Sequence, residues 1–414
     1  MSLKKSSIIY VILVFAILSG TLRLTDNGMT SFYRIFGPFV ALAYMLTYIG
    51  KFKKPLIFFG SLLVYTLFTS VVFYSNISFD QIAFVIYIFF EFVLIMSLKI
   101  KDKNFGNNFF KFIDICAVVT IAAAWLQYFV GYTLPHVEVS RGQPLGVYFS
   151  NGNELSEAMC CVMLIYVYQI LFCNKKKYIP HCVLIIMLTY LNDAKLSLIG
   201  ALIGILILGV FKINQSQGSK MGDKSFFRLC VIAGVFFVLA LYLINPTISV
   251  RDYDISLREL IFDAVLSILK GQELDVVGSI HDRTSAIIYG MRELAKSYGF
   301  GIGIGNSIVM LQQPQYYLAF AKSMHNILFQ FLAECGYFAM VVYYLIGKFI
   351  VKCFKTISKN RINLLKATFF VSFIFISSQS SVGILANYFT IMVVIYIALL
   401  DEGYDFKNKS IRRY

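Results

Sequence analysis

Apolar runs close to the thickness of a bilayer recur along this chain from end to end, and that recurrence limits the fold more than any other feature. A hydrocarbon layer about 30 Å thick takes roughly 20 apolar residues as a helix, and inside it every backbone polar group must find a partner within the protein. Only 14% of the 414 residues are charged and 58% are hydrophobic, with a mean hydropathy of +0.74. Soluble domains carry about 25% charged residues. The expected fold is therefore all-α, a polytopic integral membrane helical bundle of about 12 transmembrane helices. The spans fall near 7–24, 32–50, 55–74, 79–99, 109–131, 154–173, 178–192, 196–213, 226–246, 324–351, 367–384 and 387–401.

Charge orients these spans. The connections that would share a side with the N-terminus carry Lys51, Lys53 and Lys54; Lys99, Lys101 and Lys103; Lys175, Lys176 and Lys177; and Lys212, Lys220, Lys224 and Arg228. The Lys348-to-Lys366 segment and a tail with Lys407, Lys409, Arg412 and Arg413 complete the series. By the positive-inside rule that side is the cytoplasm, so both termini are expected there. The net charge of +15 is then distributed loop by loop against anionic lipid. It forms no single soluble basic face, which removes nucleic acid as a partner. The N-terminus resembles a signal peptide without an obvious cleavage site before Thr21 and is read as an uncleaved first span. All eight cysteines fall within spans or at their cytoplasmic ends, so no disulfide framework is expected. There is no C-x-x-C or H-E-x-x-H, and the four histidines are scattered, which argues against a zinc site.

Three regions follow: a bundle of about nine spans over 1–246 with an outer loop at 132–153, a large periplasmic or extracellular loop over 247–323, and three spans with a tail over 324–414. Within the large loop, Leu257, Leu260, Ile261, Ala264, Val265 and Ile268 have helical spacing, with Asp254 as an expected N-cap and Gly271 as a stop. Asp252-Tyr-Asp254 also has an acid-x-acid spacing used by metal-dependent glycosyltransferases, and capping is the preferred reading of it. A second short amphipathic helix is expected from about Arg283 to Ser297, N-capped by Asp282, with Arg283 at its first position. Gly299-Phe-Gly-Ile-Gly-Ile-Gly-Asn306 lacks the Lys-Ser/Thr of a P-loop and is read as a flexible turn. In the smaller loop, Asn153 is the expected cap of the next helix.

Cations on the outer side are disfavoured by the same charge rule, so Arg141, Lys195 and Arg283 stand out there. An arginine beside free amides at a helix start makes an anion site, against the plainer alternative of an exposed first-turn side chain. Lys195 follows a tight turn and has Asp193 as a ready ion-pair partner.

At Arg141-x4-Gly146-x4-Asn151-x-Asn153, at Arg283 followed by Gly301-Ile-Gly303-Ile-Gly305-Asn306, and at His325-Asn326-x-Leu328-x7-Gly336, the chain resembles the bacterial O-antigen polymerase and O-antigen ligase superfamily. That family often has Ser-Arg where this chain has Ala194-Lys195, a change that keeps the charge and loses the bidentate fork. The resemblance implies a metal-independent glycosyltransferase that needs no cofactor. It would polymerise isoprenoid-pyrophosphate-linked oligosaccharide repeat units into O-antigen or capsular polysaccharide at the outer face of the cytoplasmic membrane. Besides membrane lipids, a chain-length regulator protein is an expected partner. Under this reading Arg141, Arg283 and Lys195 bind the donor pyrophosphate, His325 is the catalytic base, and Asn326 orients the ring or a sugar hydroxyl. The residues after His325-Asn326 are apolar where ligases often have Glu, which favours the polymerase over a ligase transferring polymer to lipid A core. A transporter or flippase is the alternative of another class, supported by Glu91, Asp114 and Glu334 within spans. It is weakened by the lack of a counterpart to the large loop in the first half.

Overall fold

A computed structural model describes residues 5–20, 31–131, 146–149, 151–216, 223–244, 247–250, 253–256, 263–272, 279–316, 318, 324, 326–379 and 387–401. The helices are α1 (Lys5–Ile17), α2 (Phe32–Thr47), α3 (Ile49–Thr69), α4 (Phe79–Lys101), α5 (Phe105–Val130), α6 (Gly152–Cys173), α7 (Ile179–Leu191) and α8 (Lys195–Ser216). They continue with α9 (Asp223–Ile244), α10 (Ala264–Lys270), α11 (Ser279–Lys296), α12 (Asn306–Leu311), α13 (Ile327–Phe354), α14 (Arg361–Ile376) and α15 (Tyr388–Leu399). Among the described residues, six stretches are long and apolar enough to cross a membrane: Ile49–Tyr74, Phe79–Lys101, Phe105–Val130, Gly152–Cys173, Lys195–Gln215 and Ile327–Phe354. The protein is helical and of integral membrane type; among the described residues six spans meet the length and composition required, against about twelve expected from the sequence.

The chain divides into two compact units. The first comprises Met1–Ser61, Phe79–Ser219 and Ile350–Tyr414. Its centre is α6, buried almost throughout, with Glu154, Glu157 and Gln169 enclosed along with its apolar residues. Asn151, not Asn153, caps it: the Glu154 amide donates to Asn151 Oδ1 at 3.0 Å. Helices α6 and α14 both pack on α8. Gly200 and Gly204 make this possible, because a Cβ on Gly200 would lie 2.7 Å from Ile376 Cγ1 and one on Gly204 would lie 2.4 Å from Leu164 Cδ2. Small residues four apart are the usual device for close helix approach where lipid removes the hydrophobic drive.

The second unit comprises Leu62–Ser78 and Lys220–Phe349. Two sequence expectations fail here. Asp254 caps no helix; it lies in a hairpin, β1 (Thr247–Val250) against β2 (Tyr253–Ser256), paired with Ser249. The β-branched residues on both sides of Arg251-Asp252 favour that pairing over a helix start. Of the expected first amphipathic helix, α10 supplies the C-terminal part, and it stops at Gly271 with φ 64 as expected. Helix α11 is already formed at Ser279, so Asp282 is inside it and not at its cap, and Arg283 is not at its first position.

The core of this unit gathers Ala286 and Ile287 of α11, Met310 and Leu311 of α12, and Met324 and Ala333. Gly290 lets α11 close on it: a Cβ there would stand 2.4 Å from Met324 Cε and 3.3 Å from Ala333 Cβ.

Candidate functional site

The glycine run is fixed in place by its contacts, contrary to the flexible turn expected. Gly299, Gly301, Gly303 and Gly305 all have φ between +83° and +89°, a region that other residues enter only with strain. The run lies against a break in α13, where Gly336 has φ 45 and ψ −122. The Ile302 amide donates to Ala333 O at 3.1 Å, the Gly303 amide to Glu334 O at 2.8 Å, and the Tyr337 amide to Gly299 O at 3.0 Å. Extended backbone thus satisfies carbonyls that the broken helix leaves open.

A second face of the run meets the end of α3 and the π-turn Ser70–Tyr74 that follows it. The Ile304 amide donates to Thr66 Oγ1 at 3.1 Å. Asn306 is fully buried; its Nδ2 donates to Ile302 O at 2.6 Å and to Asn76 O at 3.0 Å, and its Oδ1 accepts from Asn76 Nδ2 at 2.7 Å. A buried primary amide costs little when its donors and acceptor are all used, and Asn306 is used in this way.

Beneath the run lies Glu334, 4% exposed. Its Oε1 accepts from Ser307 Oγ at 2.5 Å and from Gln330 Nε2 at 3.1 Å, and the backbone amides of Gly305 and Ser307 also face it. The carboxylate is a structural anchor between α12 and α13.

The start of α13 departs from the sequence reading. The helix begins at Ile327, and Asn326 caps it: the Leu328 and Phe329 amides donate to its Oδ1 at 3.1 and 3.2 Å. His325, like Ser323 and Arg141, lies outside the described residues.

Arg283 is half-buried on α11. Residues 283, 287 and 290 share one helix face, and Ile287 and Gly290 of that face pack on Met324 and Ala333. The structure thus brings the Arg283-bearing face of α11 to the residues on either side of His325 in the sequence. Farther along α11, Lys296 donates to Glu293 at 2.5 Å and to Tyr316 Oη at 3.1 Å. These two partners hold its ammonium above its ordinary pKa. Lys195 belongs to the first unit, at the start of α8, where its Nζ is 3.2 Å from Asp193 Oδ1 with both side chains more than half exposed. The ion-pair partner named from sequence is the one found.

Sequence reasoning missed Gln330 and the Asn306–Asn76 pair. Gln330 lies four residues after Asn326 and four before Glu334, a spacing visible in the chain. The Asn76 contact joins positions 230 residues apart and leaves no local signal.

Residues 181–344 match a family model described as O-antigen ligase. The match covers α7, α8, the large loop, the glycine run and most of α13. It supports the resemblance of this segment to the O-antigen ligase and polymerase superfamily. No curated protein and no solved structure matches the chain.

Proposed function

We propose, from the O-antigen ligase match over residues 181–344, that the protein polymerises isoprenoid-pyrophosphate-linked oligosaccharide repeat units at the outer face of the cytoplasmic membrane. The observation that carries the reading is the packing, inside the matched segment, of the Arg283 face of α11 on Met324 and Ala333, with His325 between Met324 and Asn326 in sequence. His325 takes the proton of an acceptor sugar hydroxyl, whose oxygen attacks the anomeric carbon of the donor as the bond to the pyrophosphate oxygen breaks. Arg283, Arg141 and Lys195 stabilise the charge on the departing pyrophosphate. This chemistry needs no metal in the reading offered, and the donor, acceptor and a chain-length regulator are its partners.

The description of the matching family keeps the ligase reading open, with lipid A core as acceptor. The apolar Ile-Leu-Phe-Gln-Phe run after Asn326 favours the polymerase. Surface glycan from a strain lacking the protein separates the two. Single-repeat caps are expected if the polymerase is lost; lipid-linked polymer accumulating in the membrane would instead assign the ligase. Normal glycan in both pools, with solute transport by the reconstituted protein, would overturn the enzyme reading. His325→Ala should abolish elongation while the protein stays inserted and lipid-linked repeats accumulate.

A further inference from the structure

Within the first unit, α5 and α7 enclose a groove of about 470 Å³. Val118, Ile121 and Trp125 of α5 form one wall, and His181, Leu184 and Met187 of α7 form the other. The α5 residues recur every three to four positions and so make one continuous stripe. Val119 and Leu126 of α5 and Val183 and Tyr190 of α7 are exposed beside it, so the flanks of the groove are apolar and open. In a bilayer such a groove takes up hydrocarbon, because an unfilled one forfeits dispersion contacts along its walls.

One end of the groove is basic. Lys175, Lys176 and Lys177 precede α7, and Lys111 stands one turn before Asp114 at the foot of the α5 stripe. Lys177 Nζ lies 4.7 Å from the centroid of the Tyr178 ring, and that ring stacks on Tyr166 at 4.5 Å. His181 packs against both rings, and its Nδ1 donates to Lys177 O at 3.2 Å, which holds the imidazole and the Lys177 ammonium about one aromatic pair. The one acid on the α5 stripe is occupied: Asp114 accepts from Tyr166 Oη at 2.8 Å and from Tyr178 Oη at 3.3 Å, and Lys175 feels its charge. Lys176 and Lys177 are exposed, and the start of α7 adds the positive end of its dipole. An apolar slot with cations at one end is complementary to a molecule that joins hydrocarbon to a phosphate. We infer that the groove binds an anionic glycerophospholipid of the surrounding membrane, with one acyl chain along Val118, Ile121 and Trp125 and the headgroup phosphate at Lys176, Lys177 and His181. The isoprenoid donor does not suit this end, because its pyrophosphate is proposed to meet Lys195, which stands past the opposite end of α7. The lipid site goes beyond the transfer reaction and holds whichever acceptor that reaction uses.

Trp125 is the single tryptophan of the chain, so its fluorescence reports the groove directly. Full-length protein is placed in phosphatidylcholine nanodiscs that contain a varied fraction of lipid brominated on its acyl chains, either phosphatidylglycerol or phosphatidylcholine. Bromine quenches tryptophan on contact, so the two titrations compare occupancy by the two headgroups. One or two lysine contacts at the membrane surface are expected to favour the anionic lipid by about 5- to 30-fold, and the preference should shrink at high salt. Lys176→Gln combined with Lys177→Gln should bring the preference to within about twofold of unity without changing the quenching by brominated phosphatidylcholine. Ala122 also lines the groove, and Ala122→Phe, which fills it, should weaken quenching by both lipids. Equal quenching by the two lipids in the parent protein means that any neighbouring lipid fills the groove, and overturns the site. A preference that persists in the double lysine variant, or full quenching in Ala122→Phe, overturns it as well. Relief of the quenching by one equivalent of an isoprenyl pyrophosphate assigns the groove to the donor chain and overturns the phospholipid. Should Ala122→Phe fail to insert, the double lysine variant decides.

Discussion

Arg283 is worth more to the reaction than to the fold if it holds the pyrophosphate, and the two roles separate by experiment. A charge-assisted phosphate contact contributes about 1.5 to 3 kcal/mol, so Arg283→Ala should slow elongation by about tenfold or more, and Arg283→Lys should recover part of it by restoring charge without the fork. Arg141→Ala should behave likewise; full activity in both alanine variants would end the pyrophosphate assignment. Lys195 gives the opposite contrast. Its pair with Asp193 is exposed on both sides, and such pairs stabilise by about 0 to 1 kcal/mol. Lys195→Ala should therefore leave the unfolding temperature almost unchanged, and a loss of elongation without a loss of stability would show that its ammonium serves substrate. At this scale the sequence showed the charged residues and their spacing, because type and spacing are local. Which of them are spent on the protein was not legible: Asn326 was read as facing substrate, and its Oδ1 is committed to capping α13.

Helices were easier to place than their ends, since an apolar run of membrane length has few alternatives, whereas an end depends on one or two capping groups. Asp254 and Asp282 have the sequence setting of caps and neither is one, the first because a hairpin captures it and the second because α11 is already helical before it. The glycine run was readable as a departure from helix, but not as an element fitted to α13 and to Ser70. That fit gives a sharp prediction. A Cβ on Gly303 would stand 1.8 Å from Ser70 Oγ at φ +87, so Gly303→Ala combines overlap with left-handed strain of about 1 to 3 kcal/mol. It should lower the unfolding temperature and abolish elongation. Gly209 of α8 has open space around its Cβ position, and Gly209→Ala should be neutral or stabilise by about 0.5 to 1 kcal/mol. Similar losses in both variants would mean that the glycine run is not held as described.

For the molecule as a whole, the membrane class was legible from composition alone. Length and composition support six crossings among the described residues; the additional crossings rest on apolar runs in the sequence, and the side assigned to each loop rests on the lysine pattern. Single cysteines placed within 247–322 should react with an impermeant thiol reagent on intact cells, and those within 214–224 should not. Reaction at both, or the reverse, would refute the orientation on which the outer-face reaction depends. The ladder between the glycine run and α13 also has a consequence for biogenesis. Thr66 and Asn76 find their partners at Ile304 and Asn306, 238 and 230 residues farther on, and the run is completed only by Tyr337. During synthesis the end of α3 must wait in the membrane for most of the chain to emerge, with its hydroxyls and amide unmatched. A chain cut short before Tyr337 never supplies the match, so quality-control proteases would meet it as an unfinished protein even with most of its apolar helices already inserted.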